Sequence, residues 1–213
     1  MYTPIGYVPV KYENLPSRGI FYPAGSRILI RAAQTPEIRH WSSLEETDPL
    51  EINMHLNDII KSCTKFVHGS NSSEISTRRL LEMDRLYLIL SIKDLTFPSG
   101  ENRIIIHVEN ANNGEKADVE LSSNNLEVEL INEKWMKFYD EESRKIKFKV
   151  NSTNEQVFVA PPTIAVADRV SSYVRKISGN KSFIDRAFLK MFMHTAPSDE
   201  DLEEKNIRRH GID

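Results

Sequence analysis

Apolar residues change their spacing along this chain, and each change predicts a change of element. In the first thirty residues, Pro16, Gly19 and Pro23 punctuate a loop that leads past Gly25 into a short strand at Ile28, Leu29 and Ile30. At Thr35-Pro36-Glu37 a capping threonine, a proline at the first helical position and an acid in the first turn predict a short helix carrying Ile38 and Trp41. The start signal recurs at Asp48-Pro49-Leu50-Glu51, and Ile52, Leu56, Ile59, Ile60 and Cys63 then share one helical face. Residues 68 to 77, rich in Ser, Asn and Gly, read as a loop. From about Thr77 to Lys93 the set Leu80, Leu81, Leu86, Tyr87, Leu88, Ile89 and Leu90 is too dense for one stripe, so this helix is expected to be buried on most sides.

After Pro98-Ser99-Gly100 the period becomes two. Ile104, Ile106 and Val108, then Ala117, Val119 and Leu121, then Leu126, Val128 and Leu130 alternate with other residues and predict three half-buried strands. Asn110 to Gly114 and Ser122 to Asn125 supply the turns between them. A fourth strand is expected over Lys145 to Val150, with Ile146, Phe148 and Val150 inward and Lys145, Lys147 and Lys149 outward, pairing with Trp135 to Tyr139. Val157 to Ala160 predicts a last strand. Helical spacing returns at Val166, Val170, Tyr173, Val174 and Ile177, and again from Ser182 through Ile184, Ala187, Phe188, Met191 and Phe192.

This order of elements reads as an α+β fold, with helical segments flanking a mainly antiparallel β-sheet lobe. Four parts are expected: a loop, strand and helical segment over 1–98, the β lobe over 99–160, C-terminal helices over 161–196 that pack on the first segment, and a charged tail over 197–213. In that tail the acids Asp199 to Glu204 precede Lys205, Arg208 and Arg209, a polarity that suits either a solvated helix or a docking tail.

Composition narrows the function classes. The 28 basic side chains against 31 acidic ones leave a formal charge of -3, so no basic excess points to nucleic acid or to an anionic membrane. Leu86 to Leu90, the longest near-apolar run, is far shorter than the ~20 residues needed to span a bilayer. The N-terminal residues lack the charged start and apolar stretch of a secretory signal. With Cys63 as the only cysteine there is no intrachain disulfide, and a reducing compartment is expected. Cys63 itself, on an apolar helical face, reads as a small core residue rather than a nucleophile.

The six histidines include no pair at i, i+4 and have no cysteine partners, so neither a metal site nor a cofactor is expected. His107 is the most suggestive, with Glu109, Glu115 and Asp118 nearby, but an outward-facing strand histidine explains it more simply. No G-x-S-x-G elbow and no phosphate-cradling glycine loop occurs, and no carboxylate pair stands out among the acids. No catalytic residue is assigned.

One string carries a resemblance. Leu15-Pro16-Ser17-Arg18-Gly19-Ile20-Phe21-Tyr22-Pro23, followed by Ile28-Leu29-Ile30-Arg31, Thr35 and Glu37, resembles the opening of the T-even-like bacteriophage baseplate hub assembly proteins. In that family an L-P-S-x-G-x-x-Y-P stretch precedes a short strand ending in Arg, a helix, and an Ile-Ile-x-x-Cys helix end. Ile59-Ile60-Lys61-Ser62-Cys63 is similar to the last of these. Asp84 followed by Leu86 to Ile92 resembles the family's D-x-x-x-L-L core helix, and Ala160-Pro161-Pro162-Thr163 its P-P-T turn. Many relatives carry a C-x-x-C-type knuckle in the region of His107 to Lys116, where this chain has no cysteine.

The resemblance implies a non-enzymatic structural or assembly component of a contractile tail baseplate hub, made in the host bacterial cytoplasm. Its partners would be other hub proteins of the virion baseplate, with no nucleic acid, membrane or small-molecule substrate. Arg18, Phe21 and Tyr22, on a loop stiffened by its prolines, are the candidate partner-binding residues, because arginine and aromatics are enriched at interface hot spots. The other reading of Phe21 and Tyr22 is that they cap the protein's own core. Two alternatives to the structural role stay open: a tail-tip cell-wall hydrolase with an acidic pair in the β lobe, and a tail assembly chaperone that leaves before maturation.

Overall fold

The computed structural model describes residues 3–42, 49–69, 73–98, 103–110, 114–126, 133–177, 189–195 and 197. The expected strand at Leu126 to Leu130, the start of the helix at Ser182 and the charged tail beyond 197 lie outside them wholly or in large part. The chain has an α+β fold, and every strand pairing among the described residues is antiparallel.

The first sheet has the order β1 (Val8–Pro9), β2 (Ser26–Ile30), β3 (Thr64–His68), β4 (Ser73–Ile75). Between β2 and β3 the chain makes helices α1 (Thr35–Ser42) and α2 (Pro49–Cys63), and β3 follows α2 without a loop. Ile30 faces Thr64 and Ser26 faces His68 across the central pair. Only β2 of these strands was expected. The Thr64–His68 stretch adds two apolar residues, Phe66 and Val67, directly to a helical stripe, which hides the switch of period, and β4 falls in the segment that composition marks as loop.

Helix α3 (Glu82–Thr96) packs on β2 and α2, burying Leu88, Leu90 and Ile92. It begins five residues later than its apolar density predicts. Thr77–Arg79 is a short 3-10 turn on which the Ser76 hydroxyl accepts the Arg78 N–H, and Leu81 bridges to Thr163, so Leu80 and Leu81 are buried ahead of the helix. The expectation of burial on most sides also fails at Leu86, which is 53% exposed. One core gathers Leu15, Tyr22, Ile28, Ile30, Ile60, Cys63, Phe66, Leu80, Leu81, Leu88, Ile92 and Ile164.

The expected single β lobe is two separate sheets: a hairpin of β5 (Ile104–Glu109) and β6 (Lys116–Leu121), and a three-stranded sheet of β7 (Tyr139–Asp140), β8 (Lys145–Lys149) and β9 (Gln156–Val159). Trp135 and Phe138 do not lie in a strand. Glu133–Met136 is a helical turn, α4, which sets these two rings on one side so that both meet Phe148, at centroid distances of 5.7 and 5.4 Å. A strand would have sent positions 135 and 138 to opposite faces.

In β8 the alternation holds but the expected contrast of buried and exposed faces does not. Lys145 and Lys147 are half-buried like Ile146 and Phe148, because their stems lie along Phe158 of β9, with the ammonium groups 5.9 and 5.6 Å from its ring centroid.

Helix α5 (Ile164–Ile177) starts with the Ile164 N–H bonded to the Leu80 carbonyl at 2.8 Å, which ties it to the first core. Its Val166, Val170 and Tyr173 form a second, smaller cluster with Leu189 and Phe192. Among the described residues no helix is long and apolar enough to cross a membrane.

Candidate docking site

The loop from Leu15 to Pro23 is built around one buried carboxylate. Asp84, in the first turn of α3, has no exposed surface, and its Oδ1 accepts the Ser17 N–H at 2.8 Å. Its Oδ2 accepts the Ser17 hydroxyl at 2.6 Å and the Tyr22 hydroxyl at 2.7 Å. Both donors are themselves occupied as acceptors: Ser17 Oγ takes the Gly19 N–H and the Tyr22 hydroxyl takes the Leu81 N–H, each at 3.0 Å. Burial pushes the Asp84 carboxyl above its ordinary value, with the bonds from Ser17 and Tyr22 opposing the shift. The Tyr22 phenol is pushed well up, by burial first and by the Asp84 charge second.

Gly19 closes the loop with φ +72°, and a Cβ there would lie 2.1 Å from the Tyr12 ring. A second clamp comes from the three-stranded sheet. The Tyr139 hydroxyl donates to the Ile20 carbonyl, and Arg144 donates to the Tyr22 carbonyl.

These contacts divide the three candidate residues. Tyr22 is 2% exposed and packs edge-on against Phe66, so it is a core residue and not a partner contact. Phe21 is half-buried, edge-on to Tyr139, which makes it chiefly a strut between loop and sheet. Arg18 is exposed, held at φ 49° on the rim of the loop, and keeps its place as a candidate contact.

The residue that organises the loop, Asp84, stood in the sequence only as part of a helix motif. An acid three residues into an apolar helix, with its donors some sixty positions away, leaves no local signal. Arg31 and Glu37 form a comparable latch at the start of α1: the guanidinium donates to Glu37 at 2.6 and 2.9 Å and to the Ser62 carbonyl at 2.8 Å. The Arg31 bond holds the Glu37 carboxyl below its usual range. Cys63 is buried nearby, and burial followed by the Glu37 charge pushes its thiol up to about 11, which makes it a poor nucleophile.

The β5–β6 hairpin is the opposite case. In its register Ile104 faces Leu121, Ile106 faces Val119 and Val108 faces Ala117, so one side of the ribbon is wholly aliphatic. The other side carries Arg103–Glu120, His107–Asp118 and Glu109–Lys116 pairs at 3.6, 2.6 and 3.6 Å. Sequence periodicity predicts half-burial, yet Ile104, Ile106, Val108 and Val119 are each 42% exposed, and Ile105 on the polar side is 48% exposed. Alternation specifies which residues share a face but not whether another layer covers it. A short distance along the chain, Trp135 and Phe138 are exposed to a similar degree.

Among the described residues no group of His, Cys, Asp or Glu is arranged to hold a metal ion. His107, the most suggestive histidine, meets Asp118 on an open strand surface. Compared with protein-family models, with curated proteins and with solved structures, the chain matches none.

Proposed function

We propose that this protein is a non-enzymatic assembly component that works by docking onto other proteins, and that those proteins belong to the baseplate hub of a contractile bacteriophage tail. The observation that carries the docking role is the uncovered aliphatic side of the β5–β6 hairpin, a contiguous apolar surface of the kind that marks protein contacts. The Arg18 rim supplies a charged contact on a rigid support. The hub assignment rests on the L-P-S-R-G-I-F-Y-P string, and the Asp84 network gives that string a structural reason: Leu15, Ser17, Gly19 and Tyr22 are the positions that pack or bond inward.

Affinity purification of the tagged chain from phage-infected bacteria tests this reading. Tail proteins should co-purify, and the double variant Val108→Thr with Val119→Thr should lose them while melting like the parent. Recovery of no tail protein, together with clearing of a peptidoglycan suspension that one Asp or Glu substitution abolishes, would replace docking with hydrolysis. Mass spectrometry of purified virions distinguishes a resident hub subunit from a chaperone that departs.

A further inference from the structure

We infer that β5 is a self-complementary edge that pairs with β5 of a second copy of this chain, antiparallel about a two-fold axis at Ile106, to give a four-stranded sheet. The inference stands on the hairpin alone and does not depend on the hub assignment.

Among the described residues β5 pairs only with β6, and its outer side is an edge of that described sheet. Natural edges are blunted by charge, proline or a bulge at their middle. Here the middle is Ile104-Ile105-Ile106-His107, and the charges stand at the two ends, Arg103 and Glu109. A two-fold axis through Ile106 places Ile104 beside Val108 of the second copy, Ile105 beside His107 of the second copy, and Arg103 beside Glu109 of the second copy. Opposite charges therefore meet at both ends of the new pair. With the ion pairs already present, Lys116 opposite Glu109 and Glu120 diagonal to Arg103, the charges at each end of the four strands alternate in sign. The symmetry is that of an isologous dimer, in which one patch serves both sides.

The backbone has the matching polarity. The Asn110 N–H bonds to the Glu115 carbonyl at 2.9 Å, so by the alternation of an antiparallel ladder the hydrogen-bonded pairs with β6 fall at Val108, Ile106 and Ile104. Ile105 and His107 then turn their N–H and C=O groups to the outer edge, where in the proposed register they face each other across the axis.

The β6 edge is less suited to the same use. Registers centred on its middle residues, Asp118 or Val119, set acid against acid, and the Glu120 carbonyl already accepts from the Asn125 side chain. Pairing through β5 also relieves the weakness of a lone two-stranded ribbon, which is marginal in water. It keeps the aliphatic residues of both copies on one side.

Sedimentation equilibrium of the purified full chain should show a reversible monomer–dimer equilibrium. Ile105→Pro removes an N–H from the outer edge only, so it should leave the melting of the monomer close to the parent's and abolish the dimer. Arg103→Glu and Glu109→Arg should each weaken the dimer by about tenfold, and the two combined should restore it. Ile106→Cys should form an intermolecular disulfide on mild oxidation, whereas Val119→Cys, one strand further from the axis in each copy, should not; Cys63 is buried and does not compete. A monomer at every soluble concentration would overturn the inference. So would a dimer indifferent to Ile105→Pro, or cross-linking at Val119 as ready as at Ile106.

Discussion

The four-stranded sheet with its helices and the β5–β6 hairpin use the same strand chemistry to opposite ends. In the first, Ile28, Phe66, Leu15 and Tyr22 are closed off from water, and polar groups that enter the core, Ser17 and Asp84, satisfy one another. In the second, the aliphatic residues Ile104, Ile106, Val108 and Val119 stand 42% exposed above a polar side laced by ion pairs. Burial of polar groups costs free energy unless each is bonded, and exposure of apolar groups costs free energy unless something covers them. The Asp84 network meets its requirement within the chain; the aliphatic side of the hairpin does not. If the hairpin docks as proposed, stability and docking belong to different parts of the molecule, and substitutions should separate them.

The largest loss of stability is expected at Asp84. Asp84→Ala deletes the acceptor of three hydrogen bonds and strands the Ser17 and Tyr22 hydroxyls in the core, which should cost about 3–5 kcal/mol in chemical denaturation. Gly19→Ala follows at about 2 kcal/mol or more, because it combines a left-handed backbone with a Cβ driven into the Tyr12 ring. Tyr22→Phe, which keeps the packing and removes only the hydroxyl, should cost about 1–3 kcal/mol. If all three variants melt like the parent, the loop is not the centre of the first region.

These effects show where sequence reading reaches its limit. The helix starts at Thr35 and near Asp48, the β5, β6, β8 and β9 strands and the α5 stripe follow from local period and capping, and they stand where expected. What depends on distant partners does not follow. Strand β3 continues a helical apolar run, so its extended form is decided by pairing with β2. The helical turn at Trp135 is decided by Phe148. The loop string stands out in the sequence, but whether Tyr22 faces a partner or the core turns on Asp84, sixty-two positions away. The hairpin's exposure was equally illegible, since nothing in a period of two says whether the second layer exists.

A smaller effect, with a pH signature, is expected at the Arg31–Glu37 latch. The Glu37 carboxyl is held below its ordinary value by Arg31, so its contribution is present above the ordinary carboxylate range and is lost as pH falls through the depressed value. Glu37→Gln should therefore lower the melting temperature at neutral pH, and the gap to the parent should close in acid. Asp84 has the reverse sign: its raised carboxyl gives a contribution complete below the ordinary aspartate value and lost as pH rises through the raised one. A gap for Glu37→Gln that widens in acid would show that the latch does not titrate as its geometry requires.

The smallest effect tests the comparison most directly, because it makes the same substitution in both regions. Val67, in β3, is 4% exposed, and Val119, in β6, is 42% exposed. Valine and threonine are nearly isosteric and both favour strands, so strand propensity and volume cancel between the two sites. What remains is the hydroxyl. At Val67 it enters a packed interior, and Val67→Thr should cost about 1–3 kcal/mol. At Val119 it meets water, and the change should stay within about 0.5 kcal/mol. Edge pairing through β5 leaves the aliphatic side of the ribbon open, so the small value at Val119 should hold at protein concentrations on either side of the dimer transition. A cost at Val119 matching that at Val67 would mean that the hairpin's aliphatic side is covered within the chain itself, and the division between a buried core and an open ribbon would fail.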